Sequence, residues 1–292
     1  MTHSSPQNGQ ELTSPRTTAL DRIRVWHLLL GSLLVFLASG SVAAALRGTF
    51  AAFQSFTVLA ITYVGSVVGW ITWTAFRQGL SLTALFGRPP MSLRAWSLIG
   101  VVFFADQFMA RADLNVIIPL LEKTAPALIA DWYAASTVQP PEQVPNIVLS
   151  ALTGILFAGV VEEILFRGLI FQRWARTWNR PVGALLVTSG LFAALHGGTL
   201  LSTFVFGVAA TLLYIQTRSL WAPVAMHMAT NGIIIMDLNP AEAVLVPLGI
   251  GGRQEFGWTC FVLSMVLITV LFWCCRRKLS DPLPYITNKD AI

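Results

Sequence analysis

The run VWHLLLGSLLVFLASGSVAAAL, Val25–Leu46, carries no Asp, Glu, Lys or Arg in 22 residues. At 1.5 Å per residue, a helix of that length spans a hydrocarbon core of about 30 Å. Ala43, Ala44 and Ala45 resemble a signal-peptide cleavage site, but the run is too long for a signal core and its leader is also long. It reads as an uncleaved first membrane helix. The preceding residues 1–24 are rich in Ser, Thr, Pro and Gln and read as a disordered tail. The whole chain agrees with this reading. Of its 292 residues 55% are hydrophobic and 11% charged, against about 25% charged in soluble domains. Mean hydropathy is +0.67. Such a composition excludes a nucleic-acid binder, a disordered tail protein and a disulfide scaffold. The net charge of +5 is instead expected in cytoplasmic loops that face anionic lipid.

Seven more apolar runs follow. The second covers 56–76 and ends at Arg77. The third covers 95–110, contains Asp106 and continues to 121 through Arg111 and Asp113. Residues 122–146, with Pro126, Pro140, Pro141 and Pro145, read as an extramembrane connection. The chain re-enters at 146–161, where Glu162 and Glu163 interrupt the apolar stretch and are expected to end the span, although 164–171 are apolar again. The remaining spans are 181–196, 200–216, 219–236 and 257–275. Threaded from an interior N-terminus, eight spans leave only Arg47, Arg111, Lys123 and Arg253 outside, so fifteen of the 19 Lys and Arg residues lie inside. Dropping one span would put later loops on the wrong side. The expected fold is an all-α, polytopic membrane bundle of about eight helices, both termini cytoplasmic. It divides into a 1–24 tail, a 25–278 transmembrane domain and a 279–292 tail. No inverted repeat of the transporter kind is visible. Cys260, Cys274 and Cys275 have no paired spacing that would give a disulfide or zinc site. Cys274 and Cys275 precede Arg276, Arg277 and Lys278, a setting in which palmitoylation occurs, though two small residues finishing a helix is the simpler reading.

Ionisable groups within apolar spans are costly and mark functional candidates. Four residues apart, Glu163 and Arg167 face each other along a helix, with Glu162 rotated about 100° away. A charged helix terminus would also explain the group. Phe192 and His196 share a face at the same spacing, and His227 and Asn231 repeat it inside an otherwise apolar helix. Structural hydrogen bonding accounts for each pair taken alone. Together, a carboxylate pair, two histidines and an amide make up most of a hydrolytic site. A Glu with a His can take a proton from water, and a second His with Asn can stabilise an oxyanion. Neither H-E-x-x-H nor G-x-S-x-G occurs, and no span carries the two aspartates of an intramembrane aspartyl protease, so zincin, serine-hydrolase and aspartyl chemistry lapse. Asp106 either lines a substrate path or pairs with Arg111.

The set E-E-x-x-x-R at Glu162, Glu163 and Arg167, F-x-x-x-H at Phe192 and His196, and H-x-x-x-N at His227 and Asn231 resembles the CPBP family. That family comprises the type II CAAX prenyl endopeptidases and the bacterial Abi, or bacteriocin-processing, proteins. The likeness covers about 145–238. It implies a multi-helical intramembrane endopeptidase with its motifs in a cavity open to the membrane or cytoplasm. By position, Glu162 and His196 would activate water, His227 and Asn231 would form the oxyanion site, and Glu163, Arg167 and Phe192 would support them. No cofactor is expected; if a divalent metal takes part, its ligands would be Glu162, His196 and His227. The expected partners are a membrane-associated protein or peptide substrate and the lipid bilayer, with no nucleic acid. The expected location is a bacterial inner membrane. The alternative is a non-enzymatic immunity, scaffold or transport protein that uses the polar cavity for binding.

Overall fold

The computed structural model describes residues 18–46, 55–127, 152–196, 199–236 and 238–291. Most of the expected N-terminal tail, part of the 122–146 connection and the first residues of the 145–238 region lie outside the described residues. Every described element is helical, and no strand occurs among the described residues. This is the form in which an apolar segment satisfies its own backbone polar groups. The long helices are α1 (Val25–Leu46) and α2 (Ser55–Gln78). A short α3 (Leu82–Phe86) leads to α4 (Leu93–Ala112), which runs through a π-helical stretch Asp113–Ile117 into α5 (Ile118–Thr124). Residues 152–178 form one continuous rod: a π-helical stretch Leu152–Ala158, then α6 (Gly159–Glu163), a second π-helical stretch Ile164–Phe171, and α7 (Gln172–Trp178). After it come α8 (Pro181–His196), α9 (Leu200–Thr217), α10 (Trp221–Ile235), α11 (Pro240–Leu245), α12 (Arg253–Cys275) and α13 (Pro284–Asp290).

The runs read as spans thus coincide with helices, with one correction. Glu162 and Glu163 do not end the helix; they sit inside the continuous 152–178 rod. The helix can pass through them because Glu163 is neutralised in place, its Oε1 accepting from Arg167 at 2.9 Å and contacting His227 at 2.8 Å. Arg167 is 1% exposed, so it belongs to the interior and not to the basic loops among which it was counted. α9 is the buried centre: Val205 to Ile215 are all buried, and it packs against α8, α4, α10 and α12. α12 is peripheral and turns Trp258, Val262, Val266, Val270 and Trp273 outward. Among the described residues, α9 and α12 are long and apolar enough to cross a membrane. Cys275 is buried and Cys274 exposed, so the two adjacent thiols are not equivalent.

Hydrogen bonds gather one end of the bundle into a clamp. Arg173 donates to the carbonyl of Ile23 and Arg176 to Asp21. The Leu220 amide donates to the Phe86 carbonyl. The Asn288 amide bonds the carbonyls of Ala84 and Arg218, and the Tyr285 amide donates to Gln172. Residues 18–24, the α2–α4 connection, the α7–α8 and α9–α10 turns and the stretch 276–290 therefore share one end. At the opposite end, buried Asp113 accepts from the Ser202 amide at 2.6 Å. That interaction places a carboxylate on the first turn of α9, where the helix dipole favours negative charge.

The small residues Gly207 to Ala210 pack within the chain. A Cβ at position 207 would stand 2.8 Å from Ser189 Cβ and 3.0 Å from its Cα, so the absent side chain sets how closely α9 approaches α8. Gly207→Leu is expected to cost about 1–3 kcal/mol through overpacking. Gly190→Ala, whose Cβ would meet nothing within 4 Å, should leave stability unchanged or slightly higher. Thermal unfolding in detergent, followed by circular dichroism, separates the two.

Candidate active site

Three helical elements converge on one point. The rod brings Glu162 from α6, α8 brings His196 as its last residue, and α10 brings His227. His196 Nδ1 lies 2.7 Å from the Phe192 carbonyl oxygen. A carbonyl only accepts, so Nδ1 carries a proton and the ring is fixed as to tautomer. Its Nε2 then meets Glu162 Oε2 at 3.1 Å. That contact needs one proton between the groups: imidazolium with carboxylate, or imidazole with carboxylic acid. The pair is a one-proton device, and its two members are 34% and 23% exposed, open enough for water to reach.

His227 is oriented by the opposite logic. Its Nδ1 donates to Glu163 Oε1 at 2.8 Å, and the same oxygen accepts from Arg167 at 2.9 Å. The second nitrogen, Nε2, is thereby turned toward Glu162 Oε2, 3.8 Å away. Behind this, Arg167 lies wholly inside the protein. Its guanidinium sits 4.4 Å from the Phe192 ring centre and 5.3 Å from that of Phe206, where the π faces partly replace water around the cation. Among the described residues Glu163 Oε2 and Arg167 Nη2 have no hydrogen-bond partner, which makes the pair depend all the more on its one direct contact. Phe192 touches the His196 ring at 4.1 Å, stacks on Phe206 at 5.5 Å and meets Phe166 edge-on at 4.9 Å. Phe206 in turn packs edge-on against His227 at 4.7 Å. Both imidazoles are therefore held by aromatic walls on one side and carboxylates on the other.

Asn231 sits one turn beyond His227, and its Nδ2 donates to the Gly154 carbonyl at 2.7 Å. One N–H is thus committed to the rod, leaving the other N–H and Oδ1. Glu162, Phe192, His196, His227 and Asn231 all line a single cavity of about 660 Å³, while Glu163 and Arg167 stand behind its wall. The structure thus brings together all seven residues singled out in the sequence. Asp106 also lines this cavity. It is buried and accepts from Thr230 at 3.0 Å and Gln107 at 3.1 Å, whereas Arg111 donates to the Leu238 carbonyl. Asp106 is part of the cavity wall, and the Arg111 guanidinium is engaged with Leu238.

Sequence reasoning missed Phe206, Thr230 and the Gly154 carbonyl. Phe206 adjoins the small-residue run beginning at Gly207, the one signal that could have drawn attention to it. The donors that a divalent metal would use are Glu162 Oε2, His196 Nε2 and His227 Nε2, with Glu162 Oε2 3.1 Å from the first nitrogen and 3.8 Å from the second.

Residues 144–233 match the family described as type II CAAX prenyl endopeptidase, Rce1-like. The motif resemblance and the family match coincide. All seven residues above lie inside the matched segment. Among curated proteins, the chain is 34% identical over 94 residues to an "Uncharacterized 24.3 kDa protein" of Escherichia coli, covering 30% of this chain and 43% of that one. It is 30% identical over 102 residues to the "Putative membrane peptidase YdiL" of Bacillus subtilis (strain 168), covering 34% of this chain and 40% of that one. The chain therefore spans about two fifths of the length of these relatives. No solved structure matches it.

Arg167→Met, which strands Glu163 in the interior, is expected to lower unfolding stability by about 3–5 kcal/mol. The double variant Glu163→Gln with Arg167→Met should cost clearly less than the two single changes added together. Denaturant titration of the four proteins as a double-mutant cycle measures this coupling, and strict additivity would show that the pair does not act as a unit.

Proposed function

We propose that this protein is an intramembrane endopeptidase that hydrolyses a peptide bond of a membrane-associated or lipid-modified protein. The observation that carries the proposal is the Glu162–His196 contact, a carboxylate and a tautomer-fixed imidazole sharing one proton at the edge of a cavity. In the first step Glu162 takes a proton from water as the oxygen attacks the carbonyl carbon. The carbonyl π electrons move onto oxygen, and the resulting oxyanion faces His227 and Asn231. The proton then passes by way of the pair to the amide nitrogen as the C–N bond breaks, leaving a new carboxylate and a new amine. No step is routed through a metal.

His227 has a defined requirement in this scheme. Because its Nδ1–H is held by Glu163, its Nε2 can donate to an oxyanion only when the ring is an imidazolium. The ring sits between two carboxylates, with Arg167 bonded to the nearer one, Glu163. Glu163 and Arg167 are positioning residues for His227, and Phe192 and Phe206 pack against the two imidazole rings.

We further assign the clamped end of the bundle to the cytoplasm. Among the described residues, thirteen of the basic residues counted inside group there once buried Arg167 is set aside, in keeping with eight crossings and with both termini cytoplasmic in a bacterial inner membrane.

Glu162→Gln keeps the side chain's shape and removes the base. Comparing protein termini by mass spectrometry in membranes holding wild type or Glu162→Gln at matched abundance should reveal a defined set of cleaved termini lost in the variant. Turnover of any one of these should fall about 10²–10⁴-fold. Identical termini with an intact phenotype would favour a binding or scaffold protein. Cleavage should persist in a strong chelator; loss on chelation, restored by a divalent cation, would replace this scheme with a metal centre on Glu162, His196 and His227.

A further inference from the structure

Two independent features, one of shape and one of charge, fix the side from which a peptide reaches Glu162. The cavity draws on the last turns of α4 and α10, the first turns of α9, the final residue of α8 and the start of the 152–178 rod. All of these lie at the end opposite the clamp, and none of the lining residues comes from the clamp itself. Toward the clamp the floor is sealed by Phe192 and Phe206, then by buried Phe166, Leu169, Ile170 and Phe171. Apolar Leu114, Ile234 and Leu238, 40%, 67% and 46% exposed, stand at the mouth.

The charge distribution is equally one-sided. The clamped end carries Arg22, Arg24, Arg173, Arg176, Arg218 and the Arg276 to Lys278 cluster, among others. The described residues of the cavity end carry Arg111, Lys123 and Arg253, offset by Glu122, Glu242 and Glu255. A surplus of Lys and Arg in short loops marks the cytoplasmic side.

We infer that the cavity opens on the face of the membrane away from the cytoplasm. Its substrate class is then an extended, apolar-flanked segment of an exported or membrane-anchored protein exposed on that face, and not the prenylated C-terminus of a cytoplasmic protein. This departs from the cytoplasm-facing option that the family resemblance offers. The substrate class rests on the proteolytic reading; the orientation does not.

The test labels single cysteines in the full chain with exposed Cys274 replaced by Ser and the buried Cys260 and Cys275 retained. Leu114→Cys, at the cavity mouth, should react with a membrane-impermeant maleimide in intact bacterial spheroplasts. Lys289→Cys, on exposed α13 surface at the clamp, should react only after the membrane is breached. Protection of Leu114→Cys until breach, or labelling of Lys289→Cys in intact spheroplasts, overturns the inference. Should either variant fail to accumulate, fusions of alkaline phosphatase and of a fluorescent protein to the C-terminus of the unaltered chain decide the same question: an inactive phosphatase with a fluorescent partner supports it, and an active phosphatase overturns it. Labelling needs no turnover, so the same pattern is expected in Glu162→Gln. Failure of the orientation and failure of the proteolytic reading are thereby separate results.

Discussion

A carboxylate and a guanidinium withdrawn from water must satisfy each other, because the cost of leaving either alone is several kcal/mol. Glu163, 0% exposed, and Arg167 form such a pair within the 152–178 rod. The rest of the site depends on it. Glu163 fixes the tautomer of His227, Arg167 lies against Phe192 and Phe206, and those rings hold His196 and His227 in place. Neighbouring Glu162, one residue earlier and turned to the cavity, is spared from that pairing. Two adjacent carboxylates thus divide the work: one anchors, and the other faces His196.

The backbone contributes to the same arrangement. π-helical stretches flank α6 on both sides, and such wider turns recur at functional sites because they re-aim side chains without breaking the helix. On α9, Gly207 admits Ser189 at close range, which brings Phe206 and Phe192 into stacking distance. At the cavity end, Asp113 tethers the first turn of α9 to the stretch that follows α4. The site is therefore supported by an ion pair from behind, by close helix packing from below and by a helix-end contact from the side.

Much of this was legible because a spacing of four survives from sequence into three dimensions. Glu163 meets Arg167, Phe192 meets His196, and His227 stands one turn from Asn231, as the helical period requires. The apolar runs located the helices for the same reason: in a bilayer the span length is fixed by thickness. What was not legible depended on contacts between elements distant in the chain. Nothing around Phe206 distinguishes it from its apolar neighbours until α8 crosses α9. The bond from Asn231 to the Gly154 carbonyl joins residues 77 apart, and that from Thr230 to Asp106 joins residues 124 apart. Reading Glu162 and Glu163 as a span terminus treated two charges as exposed. Arg167 within the rod, with the histidines supplied by α8 and α10, lets them remain inside.

His196 presents a single, tautomer-fixed nitrogen to Glu162. Nitrogen-15 NMR of the protein with labelled histidine, with His196 assigned by its loss in His196→Gln, reads this directly. His196 Nδ1 is expected to stay protonated across the pH range in which the protein is folded, while Nε2 alone gains and loses its proton. A neutral His196 protonated at Nε2 with a bare Nδ1 would contradict it.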